Sequence, residues 1–300
     1  MIEFHAITLP DKEWVDQHLW CENSPSADFN FGNMFIWDGH YRQLICNYGD
    51  RTLTKVCCHG ESCFVYPVGC GPLRPAIEAL REYAAHEGCP LFLLGVTETQ
   101  REALEQEYPG RFSYEEDVKY ADYIYDAEKL SDYSGKALHG KKNHCNRFEA
   151  EHVWAFVPMT WENIPACLEL LDAWTQANAE RLDESIVYEH EAIERAFAHY
   201  EDLGLEGGVL YADGKPVGFS FGEMTSPDTF NTHVEKADVS MNGAYPMVCR
   251  ELTRMVREKH PELKYINRED DMGLEPLRIS KQSYKPLYLL RKYTACWIDE

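Results

Sequence analysis

Apolar positions recur along the chain in two alternating rhythms, one of helical spacing and one of strict alternation. In the second half, Val153 to Val157 reads as a strand. Ile164, Leu168 and Leu171 then recur at helical spacing and predict a helix over Trp161 to Asn178. A second helix is expected from about Glu189 to Asp202. Next comes a hairpin, Gly207 to Ala212 and Pro216 to Met224, turned by Asp213-Gly214, a dipeptide suited to the left-handed positions of a tight turn. A strand at Thr229 to Lys236, a helix with Pro246 at its first position that ends before His260-Pro261, a strand at Lys264 to Asn267, a short helix opened by Pro276 and a strand at Leu287 to Tyr293 complete the half.

The first half repeats this order. It reads as a strand near Ile2 to Ala6, helices at Pro10 to Cys21 and Ala27 to Trp37, and strands at Tyr41 to Cys46, Thr52 to Cys58 and Ser62 to Val68. A helix at Leu73 to Glu87, a strand at Leu91 to Gly95, a helix at Glu98 to Tyr108 and strands near Phe112 and Tyr120 follow. Two halves with one element order imply an internal duplication of an α/β architecture with mixed sheets. The expected division is an N-terminal domain over 1–130, a basic connecting helix over 131–150 and a C-terminal domain over 151–300.

Composition narrows the classes. The chain has 300 residues, of which 44% are apolar, which suits about two folded domains. Its formal net charge of −22 opposes non-specific attachment to nucleic acid or anionic lipid. No stretch approaches the roughly 20 apolar residues of a membrane span, and the start has no signal-peptide pattern, so a cytoplasmic protein without an integral membrane segment is expected. The 11 cysteines contain no CxxC pair and read as reduced packing residues. Cys57, Cys58, His59 and Cys63 fit no standard zinc spacing, and no metal is expected.

One segment inverts the charge. Between Lys136 and Arg147 lie four cationic side chains, Lys136, Lys141, Lys142 and Arg147, and no acidic one. On a helix His139, Asn143 and Arg147 share a face. The segment suits phosphate or tRNA contact, and equally a solvated connecting helix.

Candidate chemistry concentrates in the second half. On the strand Thr229 to Lys236, Asn231, His233 and Glu235 share a face. Three polar groups on one face of a covered sheet are costly unless that face lines a cleft, and a carboxylate or imidazole there can take a proton from an attacking amine or hydroxyl. Gly218, Ser220 and Gly222 on the preceding strand clear space for a ligand. Gly243, Ala244 and Tyr245 open a helix whose amides can hold a phosphate or a developing oxyanion. Glu269, Asp270 and Asp271 precede a helix start, as caps or as partners of a cationic amine, and Arg278 and Lys281 lie one helical turn apart. GxSxG, P-loop, GxGxxG and HExxH patterns are absent, which removes support for the corresponding enzyme classes.

FNFGNMFIW, SGKALHGKKNHCNRF, GGVLYADGKPVGFSFGE, HVEKAD, NGAYP and YINREDDMGLEPLRISKQSYKP together resemble the soluble relatives of the phosphatidylglycerol lysyltransferase C-terminal domain family. The resemblance covers nearly the whole chain. It implies two GNAT-like acyltransferase folds in tandem and transfer of an aminoacyl group from charged tRNA to a lipid head group or, in the related Fem-type transferases, to peptidoglycan precursors. It also implies that Asp270, Asp271, Arg278 and Lys281 fall in the donor region. The acetyltransferase loop is incomplete at Ser240 to Ala244, which weakens acyl-coenzyme A as donor. The expected activity is therefore aminoacyl transfer from aminoacyl-tRNA to an amine or hydroxyl of a small-molecule, lipid head-group or peptide acceptor, with no cofactor required. Alternatives are an acyl-coenzyme A dependent N-acyltransferase and a non-catalytic binding module of the same fold.

Overall fold

The structure of the chain, a computed structural model, describes residues 2–58, 61–116, 118–177 and 184–298. Asn178 and His59, which the sequence reading assigned to a helix end and to a rejected zinc grouping, lie outside them. The chain forms two compact units. The first is Met1–Asp122 with Asp270–Leu274 and Leu289–Glu300, and the second is Tyr123–Glu269 with Glu275–Tyr288. The segment 131–150, expected as a connecting helix, lies within the second unit.

In the first unit the helices are α1 (Lys12–Glu22), α2 (Phe31–Ile36), α3 (Asp38–Tyr41), α4 (Leu73–Glu87) and α5 (Glu98–Glu107). The strands are β1 (His5–Ala6), β2 (Leu44–Tyr48), β3 (Arg51–Cys58), β4 (Glu61–Gly69), β5 (Phe92–Thr97) and β6 (Phe112–Glu116). Strands β1 to β4 form an antiparallel meander, and β5 runs parallel to β4 after the crossover through α4. Helix α4 forms because Ala76, Ile77, Leu80 and Ala84 recur every three or four residues and are buried together; Gly88 stops it at φ 72°.

The second unit contains β7 (Asp122–Asp126), α6 (Ala127–Asp132), α7 (His139–Glu151), β8 (Trp154–Pro158), α8 (Ile164–Ala177), α9 (Glu184–Ala198) and α10 (Tyr200–Leu203). It continues through β9 (Glu206–Ala212), β10 (Lys215–Ser226), β11 (Thr229–Ala237), α11 (Ala244–Lys259), β12 (Tyr265–Asn267), α12 (Glu275–Ser283) and β13 (Tyr288–Leu290). The expected hairpin is present: Asp213 and Gly214 take φ of 52° and 79°, and β9 pairs antiparallel with β10. Helix α11 begins two residues before Pro246 and buries Met247, Val248, Leu252 and Val256.

The expected final strand, Leu287 to Tyr293, is two strands in two sheets. Residues Tyr288–Leu290 form the edge of the sheet ordered β13-β7-β12-β11-β10-β9-β8. Residues Lys292–Trp297 form β14, which lies between β5 and β6 in the sheet ordered β1-β2-β3-β4-β5-β14-β6. The expected C-terminal domain of 151–300 thus gives its last strand to the first sheet, while β7, the last strand expected of the first half, pairs with β12 in the second. Alternation of apolar residues defines a strand, and nothing in it specifies which sheet the strand joins.

The cysteines also depart from expectation. Cys21, in the last turn of α1, and Cys70, just after β4, have Cα atoms 5.7 Å apart and are joined in a disulfide. Both are exposed. Cys46, Cys57, Cys63, Cys89, Cys145, Cys167, Cys249 and Cys296 carry free thiols.

Candidate active site

Strand β11 alternates as the sequence predicts, and Asn231, His233 and Glu235 share a face. Its neighbours fix their height in the sheet: Glu235 lies opposite Ser220 of β10, and Asn231 opposite Asn267 of β12. The face is closed, against the expected open cleft. Asn231 is fully buried, the His233 side chain has 0% exposure and that of Glu235 has 9%.

Closure is possible because the polar groups have partners. The His233 ring donates from Nε2 to Glu223 Oε1 at 2.9 Å and from Nδ1 to Glu269 Oε1 at 3.0 Å. Asn231 Nδ2 donates to the same Glu269 oxygen at 3.1 Å. Burial disfavours a charged imidazole here, but the hydrogen bonds and charges of Glu223 and Glu269 outweigh it and hold the pKa up at about 9. At neutral pH His233 is an imidazolium, a donor rather than the expected base.

Glu235 points to a different set of partners. Arg268 Nη2 donates to Glu235 Oε1 at 2.8 Å, with exposures of 10% and 9% for the two side chains. The Arg268 guanidinium lies 4.4 Å from the ring centre of Tyr284 and 5.6 Å from that of Tyr125. Lys141 of α7 sets its ammonium 3.7 Å from the centre of the Tyr284 ring. Lys281 of α12 is buried and donates to the Arg268 carbonyl, while Tyr125 donates to the Lys281 carbonyl at 2.7 Å. Burial raises the Glu235 pKa; the charges of Arg268, Lys141 and Lys281 oppose this but leave it above the ordinary carboxylate value. Burial and the charge of Arg268 lower the pKa of Lys141. Cys249, also buried, has its thiol pushed up to about 11, chiefly by burial.

Helix α7 therefore splits the predicted basic segment. Lys141 turns inward, while Lys136, His139, Lys142 and Arg147 stay exposed, Arg147 paired with Glu151 at 2.8 Å. Of the predicted donor residues, Lys281 joins the Glu235 cluster. Arg278 lies 3.5 Å from Glu275 on α12. Asp270 and Asp271 belong to the first unit, where their carboxylates accept the amides of Met272 and Gly273, residues with φ of 51° and 76°. Those bonds hold a turn ahead of α12.

The glycines serve packing rather than ligand approach. A Cβ on Gly243, whose φ is 92°, would lie 2.5 Å from the His144 carbonyl of α7, so the start of α11 is pressed against another helix. The Ala244 amide is taken by the Met241 carbonyl and Tyr245 is half-buried. A Cβ on Gly218 would lie 2.6 Å from Val248 of α11, Ser220 donates to the Val234 carbonyl at 2.6 Å, and Gly222 sits at a bulge where a Cβ would meet the Asn231 carbonyl. These three lie under a helix and within the sheet.

Arg268, Glu223, Tyr125, Tyr284 and Cys249 were not singled out in the sequence. The available signal was the polar run Asn267-Arg268-Glu269 at the end of a strand parallel to β11, since a central strand end beside a polar strand brings charges together.

Known proteins agree with this architecture. Residues 23–296 match the family described as phosphatidylglycerol lysyltransferase, C-terminal. A crystal structure of a conserved protein of unknown function from Bacteroides thetaiotaomicron VPI-5482 is 36% identical, covering 99% of this chain and 100% of that one with a TM-score of 0.94. The C-terminal domain of a putative lysylphosphatidylglycerol synthetase from Agrobacterium fabrum is 12% identical, with coverage of 97% and 92% and a TM-score of 0.69, and shares the fold. An uncharacterized protein of Mycoplasmoides gallisepticum is 26% identical over 174 residues, which are 57% of this chain and 54% of that relative's length. The fold is a mixed α/β architecture built on two mixed sheets. Among the described residues no helix is long and apolar enough to cross a membrane.

Proposed function

The chain belongs to the phosphatidylglycerol lysyltransferase C-terminal family, and from that membership we propose that it is an acyltransferase that moves an aminoacyl group from aminoacyl-tRNA to an amine or hydroxyl acceptor. The observation that carries the reading is Glu235, a buried carboxylate with a raised pKa among Arg268, Lys141 and Lys281. A carboxylate so tuned accepts a proton more readily than an exposed one. In the transfer, the acceptor nitrogen or oxygen attacks the ester carbonyl, its proton passes to Glu235, the ester C–O bond breaks, and the proton returns to the departing ribose oxygen. His233, already protonated, holds Glu223 and Glu269 in place. The exposed cations Lys136 and Lys142 supply the tRNA contact, and the net charge of −22 makes that contact weak and steeply dependent on salt.

A second reading, a non-catalytic module that retains the fold, is favoured by the closure of Asn231 and His233. One experiment separates the two. The purified chain is incubated with tRNA charged with labelled amino acids and with phospholipid, peptide or amine acceptors, and transfer of label is followed. Transfer that falls at least about 100-fold in Glu235→Gln supports the first reading. Transfer unchanged in that variant removes Glu235 from the chemistry, and no transfer to any acceptor class favours the module.

A further inference from the structure

Around Glu235 the charges do not balance. Arg268 and Lys141 bring two positive charges to one carboxylate, and Arg268 is nine-tenths buried. Buried charge is costly unless paired, so an excess of cations in a tyrosine-lined interior calls for an anion.

Two details say where it would bind. Arg268 Nη1 is buried and has no hydrogen-bond partner, although Nη2 on the same guanidinium is held by Glu235. Lys141 makes no ion pair with any described carboxylate; its ammonium rests on the Tyr284 ring, the ring that also carries Arg268. The two positive centres, 3.7 Å and 4.4 Å from one ring centre, are therefore no more than about 8 Å apart. Burial, and then repulsion from Arg268, depress the pKa of Lys141. Lys141 is half-buried rather than sealed, so the cluster reaches solvent beside α7.

We propose that Arg268 Nη1 and Lys141 form the binding site for an oxyanionic group, carboxylate or phosphate, of a substrate. A guanidinium N–H in a low-dielectric setting gives such an oxygen a charge-assisted hydrogen bond, and the lysine adds a point charge. The site deepens the transferase reading by naming the chemistry of a group that enters beside Glu235. The α-carboxyl of an aminoacyl group is tied up in the ester, so the anion comes from an acidic side chain of that group, from another part of the donor or from the acceptor.

Binding tests this apart from catalysis, so a failure of either idea is visible separately. The full chain is titrated with inorganic phosphate, adenosine 5′-monophosphate and acetate at constant ionic strength, against a sodium chloride control, with calorimetry and thermal midpoint as readouts. At least one oxyanion is expected to bind the wild type and raise its midpoint. Lys141→Gln, which removes no partner from any carboxylate, is expected to weaken that binding at least about tenfold, and Lys141→Arg to restore most of it. Preference for phosphate and the nucleotide assigns the site to a phosphate-bearing substrate, and preference for acetate to a carboxylate. Binding equal in wild type and Lys141→Gln, stabilisation matched by chloride, or no binding of any of the three overturns the proposal.

Discussion

Glu235 accepts a 2.8 Å hydrogen bond from Arg268 at a place where water screens neither charge, with each side chain about nine-tenths removed from solvent. Removing one partner strands the other, so Arg268→Met is expected to cost about 3–5 kcal/mol by leaving a buried carboxylate unpaired. Combining it with Glu235→Leu should recover most of that loss, because the apolar pair strands no charge. Denaturant melts of the two single variants and the double variant measure this. Losses that simply add would mean the pair is not energetically coupled.

His233 makes stability depend on pH in a defined direction. Its pKa rises from 6.5 to about 9 on folding because Glu223 and Glu269 favour the imidazolium more than burial disfavours it. The extra stability is fully present below pH 6.5 and is lost as pH rises through about 9, an amount on the order of 3 kcal/mol. Thermal melts of wild type and His233→Gln from pH 6 to pH 9.5 should therefore converge as the pH rises. A gap independent of pH would contradict the charged, doubly bonded imidazole.

Gly243 tests whether the start of α11 serves packing or ligand binding. Its φ of 92° and the His144 carbonyl 2.5 Å from the position of a Cβ predict that Gly243→Ala loses at least about 2 kcal/mol without any substrate present. A variant of unchanged stability but reduced turnover would return this residue to the donor site.

The Cys21–Cys70 disulfide spans 49 residues of sequence. Closing a loop of that size in the unfolded chain is worth about 4 kcal/mol on the chain-entropy account. Reductant, or Cys21→Ser with Cys70→Ser, is expected to lower the thermal midpoint and to expose amides of α1 and β4 to hydrogen exchange. Melting curves that coincide with and without reductant would show that the bond adds nothing.

Much of the fold was legible in the chain because local chemistry determines local form. The Asp213-Gly214 turn, the apolar spacing of α4 and the alternation of β11 are each decided by residues near in sequence. The destination of β14 and the openness of the β11 face were not legible. A strand's partner and a polar group's solvent exposure depend on residues far away, such as Glu269 for His233 and Arg268 for Glu235. Lys141 shows the same limit, since a basic run on a helix gives no sign of which lysine turns under Tyr284.

The insertion of β14 between β5 and β6 imposes an order on biosynthesis. Until residues 292–297 have been translated, β5 and β6 have no strand to bridge them, and strands made about 200 residues upstream wait on one made much later. A nascent chain stalled before that point would carry an open sheet edge in its first unit, where chaperones or self-association can act, whatever the state of the second.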